Sequence, residues 1–248
     1  MKKRGQLAIF VIIALVIIAG GVLYFVFRGV VNEGKKEPIA LNAEEIYSFV
    51  QNCIEETSEP SIYLIGLSAG YYNLTQTTLT ENNIPYYYLN KEDKTPTKEK
   101  IEEEISLLIK ENLKLCINDF QEFSDLEVHG EERGMIVETI INNNSVDINI
   151  NYPLTIKKGE SSSRVESEYQ KEVEIRFGIV YDASKEFIIE NLKLEGGEIC
   201  LSCVQNIFAE RDLYLRWVYD NAGANVFIVT DNKSKIDNQE FTFIFAGK

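Results

Sequence analysis

Histidine occurs once in this chain, at His129. A centre built on several imidazoles is therefore excluded, and any histidine-dependent catalysis would rest on that single side chain. Basic residues are also short, 25 Lys plus Arg against 39 Asp plus Glu, for a net charge of -14. Nucleic acid and other polyanions need a positive footprint, so they are excluded as partners. No D-x-D-x-D-G calcium loop, no second C-x-x-C and no internal repeat is present. What the chain does have is apolar mass: 45% hydrophobic and 11% aromatic residues over 248 positions suffice for one ordinary core or two small ones, which excludes disorder for most of the chain.

Part of that mass lies in one run. Leu7 to Phe27 is apolar or small throughout and carries no charge, and at a rise of about 1.5 Å per residue it spans roughly 30 Å, the thickness of a bilayer's hydrocarbon core. A cleaved secretory signal would be shorter and would end in a small-x-small site, and no Ala-x-Ala comes after the run. A soluble core helix of this length seldom has every face apolar. Lys2, Lys3 and Arg4 precede the run and only Arg28 comes directly after it, so the positive-inside rule puts the N-terminus in the cytoplasm. This predicts a cytoplasmic basic leader at 1–6, a transmembrane helix at 7–27, a linker at 28–40 and an extracytoplasmic domain at 41–248. An acidic head beside anionic lipid is repelled rather than adsorbed.

At Lys3-Arg4-Gly5-Gln6-Leu7 the start of the chain resembles the class III signal peptide of archaeal type IV pilin-like proteins. The resemblance runs as far as Arg28 and implies a membrane peptidase cutting between Gly5 and Gln6, with the apolar helix then packing against its copies in a filament. Phe10 stands where bacterial pilins carry a glutamate. The whole chain is similar to uncharacterised membrane-anchored archaeal surface proteins, a likeness that implies no activity. Gly29 to Ala40, with Gly29, Gly34 and Pro38 among mixed charges, reads as a flexible linker. A filament subunit needs a rigid junction so that neighbouring heads repeat in register, which favours a stand-alone anchored protein.

The outer domain divides into a helical part at 41–120 and a sheet-rich part at 121–248. Asn42 with Glu45 three residues later suggests a capped helix start, and Ile46, Phe49, Val50, Cys53 and Ile54 recur at helical spacing until Pro60 interrupts. A second helix opens at Thr95-Pro96 and carries Ile101, Ile105, Leu108, Ile109 and Cys116 on one stripe. Alternation then marks strands at Met135 to Ile141, Val146 to Ile150 and Val173 to Phe177, with Asn142-Asn143-Asn144 as a hairpin turn. Ile179 to Leu192 reads as a helix, and Leu213 to Tyr219, Val226 to Thr230 and Phe241 to Phe245 as strands separated in part by a polar turn over Asp231 to Asn238. The expected fold is α+β, a helical hairpin with an antiparallel β-sheet.

Four cysteines in an extracytoplasmic domain point to disulfides, with three connectivities open. Cys53 and Cys116 both fall on buried stripes, which favours pairing them and leaves Cys200 with Cys203. Cys200-Leu201-Ser202-Cys203 also has redox spacing, but it comes late rather than after the first strand of a βαβ unit. Gly66-Leu67-Ser68-Ala69-Gly70 matches the nucleophile-elbow pattern, yet no βα units precede it, and a helix end or tight packing turn explains its small residues. His129 among Glu127, Glu131 and Glu132, and the run Glu102 to Glu104, read as solvated acidic surface.

Tyr71 to Asn90 holds Tyr71, Tyr72, Tyr86, Tyr87 and Tyr88 among Thr and Asn. Tyrosine gives amphipathic contact area at low entropy cost, so this is the candidate recognition loop, unless its rings are pinned onto the domain below. Sequons at Asn73, Asn143 and Asn232 fit glycosylation of an exported protein. Together these features predict a single-pass cell-surface protein with a structural, adhesive or recognition role, without cofactor, metal or enzymatic activity. Its expected partners are membrane lipid through 7–27, a protein or glycan at the cell surface, and copies of itself. The alternatives are the pilin-like subunit, and an extracytoplasmic thiol-redox or hydrolytic enzyme.

Overall fold

The computed structural model describes residues 39–130, 134–165, 167–194, 199–220 and 223–248. The leader, the apolar run and nearly all of the linker lie outside the described residues, and so do Gly5, Gln6, Glu131 and Glu132. Among the described residues no helix is long and apolar enough to cross a membrane.

The first helix, α1 (Ile39–Leu67), is under way before Asn42 and does not stop at Pro60. Its early half buries Ile46, Val50, Cys53 and Ile54, as the periodicity predicts. Beyond Pro60 it buries Ile62 and Ile65 completely. At roughly 1.5–3 kcal/mol for each such side chain, these outweigh the cost of about 3 kcal/mol for an interior proline. Hydroxyls of Thr57, Ser58 and Ser61 donate to the carbonyls of Cys53, Ile54 and Thr57 around Pro60. Helix α2 (Lys98–Ile117) is capped by Thr97, whose hydroxyl accepts the Lys100 N–H, two residues later than the sequence suggests. It ends at Asn118 in the left-handed region, a conformation asparagine tolerates. Helix α3 (Phe177–Leu192) begins where the alternating pattern suggests a strand, because Phe177 turns onto Phe241 and Phe243, with ring centroids 5.1 and 5.7 Å away.

The strands, in chain order, are β1 (Tyr86–Leu89), β2 (Glu92–Asp93), β3 (Glu127–Gly130), β4 (Ile136–Ile141), β5 (Val146–Asn151), β6 (Leu154–Lys158), β7 (Ser161–Val165), β8 (Glu168–Val173), β9 (Tyr214–Tyr219), β10 (Asn225–Ile236) and β11 (Gln239–Gly247). They form a five-stranded sheet in the order β2-β1-β11-β10-β9 and two three-stranded sheets, β3-β6-β7 and β4-β5-β8. The α+β class holds, with antiparallel pairing everywhere except β1 against β11, which is parallel. β1 and β2 also fall inside the stretch that reads as helical. The predicted Asn142 hairpin joins β4 to β5, with the Asn142 N–H donating to the Ser145 carbonyl.

Asp231 to Asn238 is not a turn. β10 runs on to Ile236, and the reversal falls on Asp237 and Asn238, both with positive φ, at 49° and 65°. The polar residues stay in the strand because Asp231 is fully buried and bonded: Arg176 donates to it at 3.0 Å, the Ser234 hydroxyl at 2.6 Å and the Lys233 N–H at 3.1 Å. Between α3 and the five-stranded sheet lies an aromatic core of Phe177, Phe187, Phe208, Phe227, Phe243 and Phe245, with Phe187 edge-on to Phe227 at 5.2 Å.

Candidate functional site

Both cysteine pairs stand at disulfide distance, Cys53 with Cys116 at a Cα separation of 5.7 Å and Cys200 with Cys203 at 5.2 Å. The first joins α1 to α2. The second opens a short turn, Leu201–Cys203, that continues into the π-helical segment Val204–Phe208, and the element described before it is α3, not a strand.

Ser68 lies in the turn after α1, with its hydroxyl donating to the Leu64 carbonyl at 3.1 Å. The flanking glycines have packing reasons. A Cβ at Gly66 would stand 2.6 Å from the Phe241 ring, and one at Gly70, whose φ is +84°, would stand 2.6 Å from Ile101. His129 belongs to β3, opposite Thr155 of β6, and lines a cleft of about 420 Å³ with Lys114, Asp119 and Tyr152. The structure thus does not bring Ser68 and His129 together in hydrogen-bonding contact. Among the described residues no group of three or more His, Cys, Asp or Glu could hold a metal ion.

The tyrosine-rich stretch divides by burial. Tyr86, Tyr87 and Tyr88 form most of β1 and are buried, as is Tyr71, so of the five only Tyr72 is exposed, at 44%. Tyr87 donates to the Ala69 carbonyl at 2.9 Å and stacks on Phe245 at 4.8 Å, and its burial pushes the phenol well above the usual range. The preceding loop hangs on Glu104, whose carboxylate accepts the N–H groups of Tyr72 and Asn73, each at 2.9 Å. Read as solvated surface in the sequence, Glu104 is instead an anchor, and a signal for it was there: it falls on the apolar stripe, three residues after Ile101 and four before Leu108. The sequons differ likewise. Asn73 is half-buried and caps the turn Leu74–Gln76 by accepting the Thr75 N–H, whereas Asn143 and Asn232 are exposed.

An open surface groove lies between α2 and β4. Three residues spaced one turn apart on α2 take the free side of the strand: Glu102 accepts the Ile141 N–H at 2.8 Å, Ser106 bonds the Thr139 hydroxyl at 2.8 Å, and Lys110 donates to the Met135 carbonyl at 2.7 Å. Above that seam runs a groove of about 710 Å³. Its floor is the exposed apolar trio Leu107, Ile136 and Ile140, and Glu99, Glu103 and Glu138 form its rim. Lys110 lines the groove as well. Comparison with known proteins gives no match to a family model, to a curated protein or to a solved structure.

Proposed function

We propose that this chain is a single-pass membrane-anchored surface protein, its N-terminus cytoplasmic and its head on the outer side, serving a structural, adhesive or recognition role. The observation that carries this reading is the conjunction of the uncharged run Leu7 to Phe27 with two cysteine pairs at disulfide distance in the domain C-terminal to it. Such pairs persist in oxidising compartments and are rare in the cytosol. The α2–β4 groove supports a recognition role and suits a partner segment carrying both apolar and cationic side chains. The engagement of Ser68 with its own helix and the place of His129 on β3 speak against a hydrolase built on that pair.

Protease shaving of intact cells, with non-reducing peptide mapping of the detergent-extracted chain, tests the reading. The expected result is membrane-bound protein, cleaved from outside, with Cys53 linked to Cys116. Full-length protein recovered from the cytosol without detergent, with four free thiols, would overturn it. The Gly5-Gln6 step sustains the second reading, a pilin-like subunit. A mature chain beginning at Gln6, together with filaments on cells, would establish that reading instead.

A further inference from the structure

The two disulfides differ in what they hold. Cys53–Cys116 ties α1 to α2 over a separation of 63 residues, whereas Cys200–Cys203 links residues three apart within one turn. So short a link removes little entropy from the unfolded chain, and opening it leaves the fold nearly as stable. They differ in access too. Cys53 is 2% exposed, and Cys116 and Cys203, though half-buried, pack against the main core. Cys200 is also half-buried but, among the described residues, stands outside that core.

The surroundings of Cys200 suit a sulfur that must carry charge. Its Sγ accepts the Cys203 N–H at 3.2 Å and lies 3.5 Å from the Ser202 hydroxyl. A disulfide sulfur has no hydrogen to give, so Ser202 is the donor. Both donors lie within three residues of the sulfur and stay there when the bond opens, and donors to a thiolate lower its pKa. The backbone is fixed from α3: buried Asn191 accepts the Cys200 N–H at 3.0 Å, while its own amide donates to the Phe187 carbonyl at 2.7 Å. Directly after Cys203 the chain is π-helical over Val204–Phe208, a geometry that is rare in folded proteins and frequent at functional sites.

We propose that Cys200–Cys203 is a thiol–disulfide exchange site whose substrate is a dithiol, a function beyond surface anchoring and independent of it. A substrate thiolate attacks the Cys200 Sγ, the less covered sulfur. The Cys200–Cys203 bond breaks, and Cys203 leaves as a thiolate that takes up a proton. The substrate's second thiolate then attacks its own sulfur in the mixed disulfide, and Cys200 leaves as the thiolate that the Cys203 N–H and the Ser202 hydroxyl stabilise. A leaving thiolate of lower pKa departs faster, so the two donors act on this second step. The substrate gives up two electrons and two protons and closes its own disulfide, and the protein takes the two electrons as its pair opens. A monothiol stops at the mixed disulfide, which Cys203, held three residues away, reverses before a second molecule arrives. A dithiol brings its resolving thiol with it.

The test uses the full oxidised chain in detergent micelles, with dithiothreitol as the dithiol, quenching by N-ethylmaleimide and peptide mapping. Cys200 and Cys203 should be alkylated several-fold sooner than Cys53 and Cys116, with one oxidised dithiothreitol formed for each pair opened. A long link that opened as fast or faster would overturn the proposal. Cys203→Ser keeps the backbone N–H and leaves Cys200 as a free thiol. Its alkylation by iodoacetamide should show a pH midpoint below about 8.5, the ordinary thiol value, and adding Ser202→Ala should raise that midpoint. A midpoint at or above the ordinary value would equally overturn the proposal, because no thiolate is then stabilised. Cys200→Ser frees only the core-packed Cys203 and should react several-fold more slowly than Cys203→Ser, and equal or reversed rates would refute Cys200 as the attacked sulfur. In every variant the closed Cys53–Cys116 link reports that the fold is intact.

Discussion

Glu104 is 2% exposed and yet stands in an ion pair with Lys100. Burial disfavours its charge, but the Asn73 N–H, the Lys100 ammonium at 2.9 Å and the Tyr72 N–H outweigh that cost and hold the carboxyl below its usual range. A depressed carboxyl pKa stabilises the fold above the unfolded value and loses that contribution as pH falls through the lower folded value. Urea unfolding at pH 6 and pH 3 should show the loss. Glu104→Gln should cost about 1–3 kcal/mol at pH 6, since it deprives the part-buried N–H groups of Tyr72 and Asn73 of a charged acceptor, and it should lose less on acidification than the native chain. An unchanged pH difference in the variant would refute the assignment. Asp231 and Arg176 form a buried ion pair, 0% and 14% exposed at the side chain. Arg176→Ala leaves a buried carboxylate without its cation and should cost about 3–5 kcal/mol, whereas Arg176→Met combined with Asp231→Leu should recover only part of the loss, because Ser234 and the Lys233 N–H also lose their acceptor. A double-mutant cycle by urea denaturation measures both, and additive single losses would show that the two groups do not act as a pair.

At the scale of elements, the two disulfides constrain very different lengths of chain. Cys53–Cys116 spans a separation of 63 residues and Cys200–Cys203 one of 3. In the chain-entropy account the first is worth about 4 kcal/mol and the second less than half of that. Replacing Cys53 and Cys116 together by serine should therefore lower the unfolding free energy by about 2–4 kcal/mol, and the same change at Cys200 and Cys203 by clearly less. Non-reducing urea midpoints decide it, and the reverse order would mean that native strain, not loop closure, governs these bonds. The long pairing was legible in the sequence because both cysteines sit on apolar helical stripes that must face one another. So were the α2 stripe, the β4–β5 hairpin and the aliphatic alternation of β5, all of them patterns of local period. What stayed hidden depends on distant partners. The polar half of β10 is a strand because Arg176, 55 residues before Asp231, reaches that carboxylate. Pro60 is tolerated because Ile62 and Ile65 find a core. The tyrosines of β1 read equally well as a presented surface or a packed one, since an amphipathic ring serves both, and only the parallel register of Tyr86 and Tyr88 against Ala246 and Gly247 turns them inward.

For the molecule as a whole, net charge sets a prediction whose sign is open to measurement. With 39 acids against 25 bases, mutual repulsion among carboxylates opposes the compact state, and salt relieves it. Ion pairs pull the other way. Lys94–Glu92, Lys193–Glu190 and Lys233–Asp212 are all at least a third exposed on both side chains, so each contributes little and salt weakens it. The buried pairs of Glu104 and Asp231 are screened far less. Repulsion acts over many more charges than these few pairs hold. Raising ionic strength from about 0.01 M to about 0.15 M shortens the Debye length from roughly 30 Å to roughly 8 Å, which reaches the repulsion between separated acids before it reaches contacts at hydrogen-bonding distance. The urea midpoint at pH 7 should therefore rise with sodium chloride and level off near physiological strength, by an amount on the order of 1 kcal/mol, comparable to one or two exposed pairs. A midpoint that fell with salt would show that the exposed pairs, rather than the acid excess, dominate the long-range electrostatics of this head.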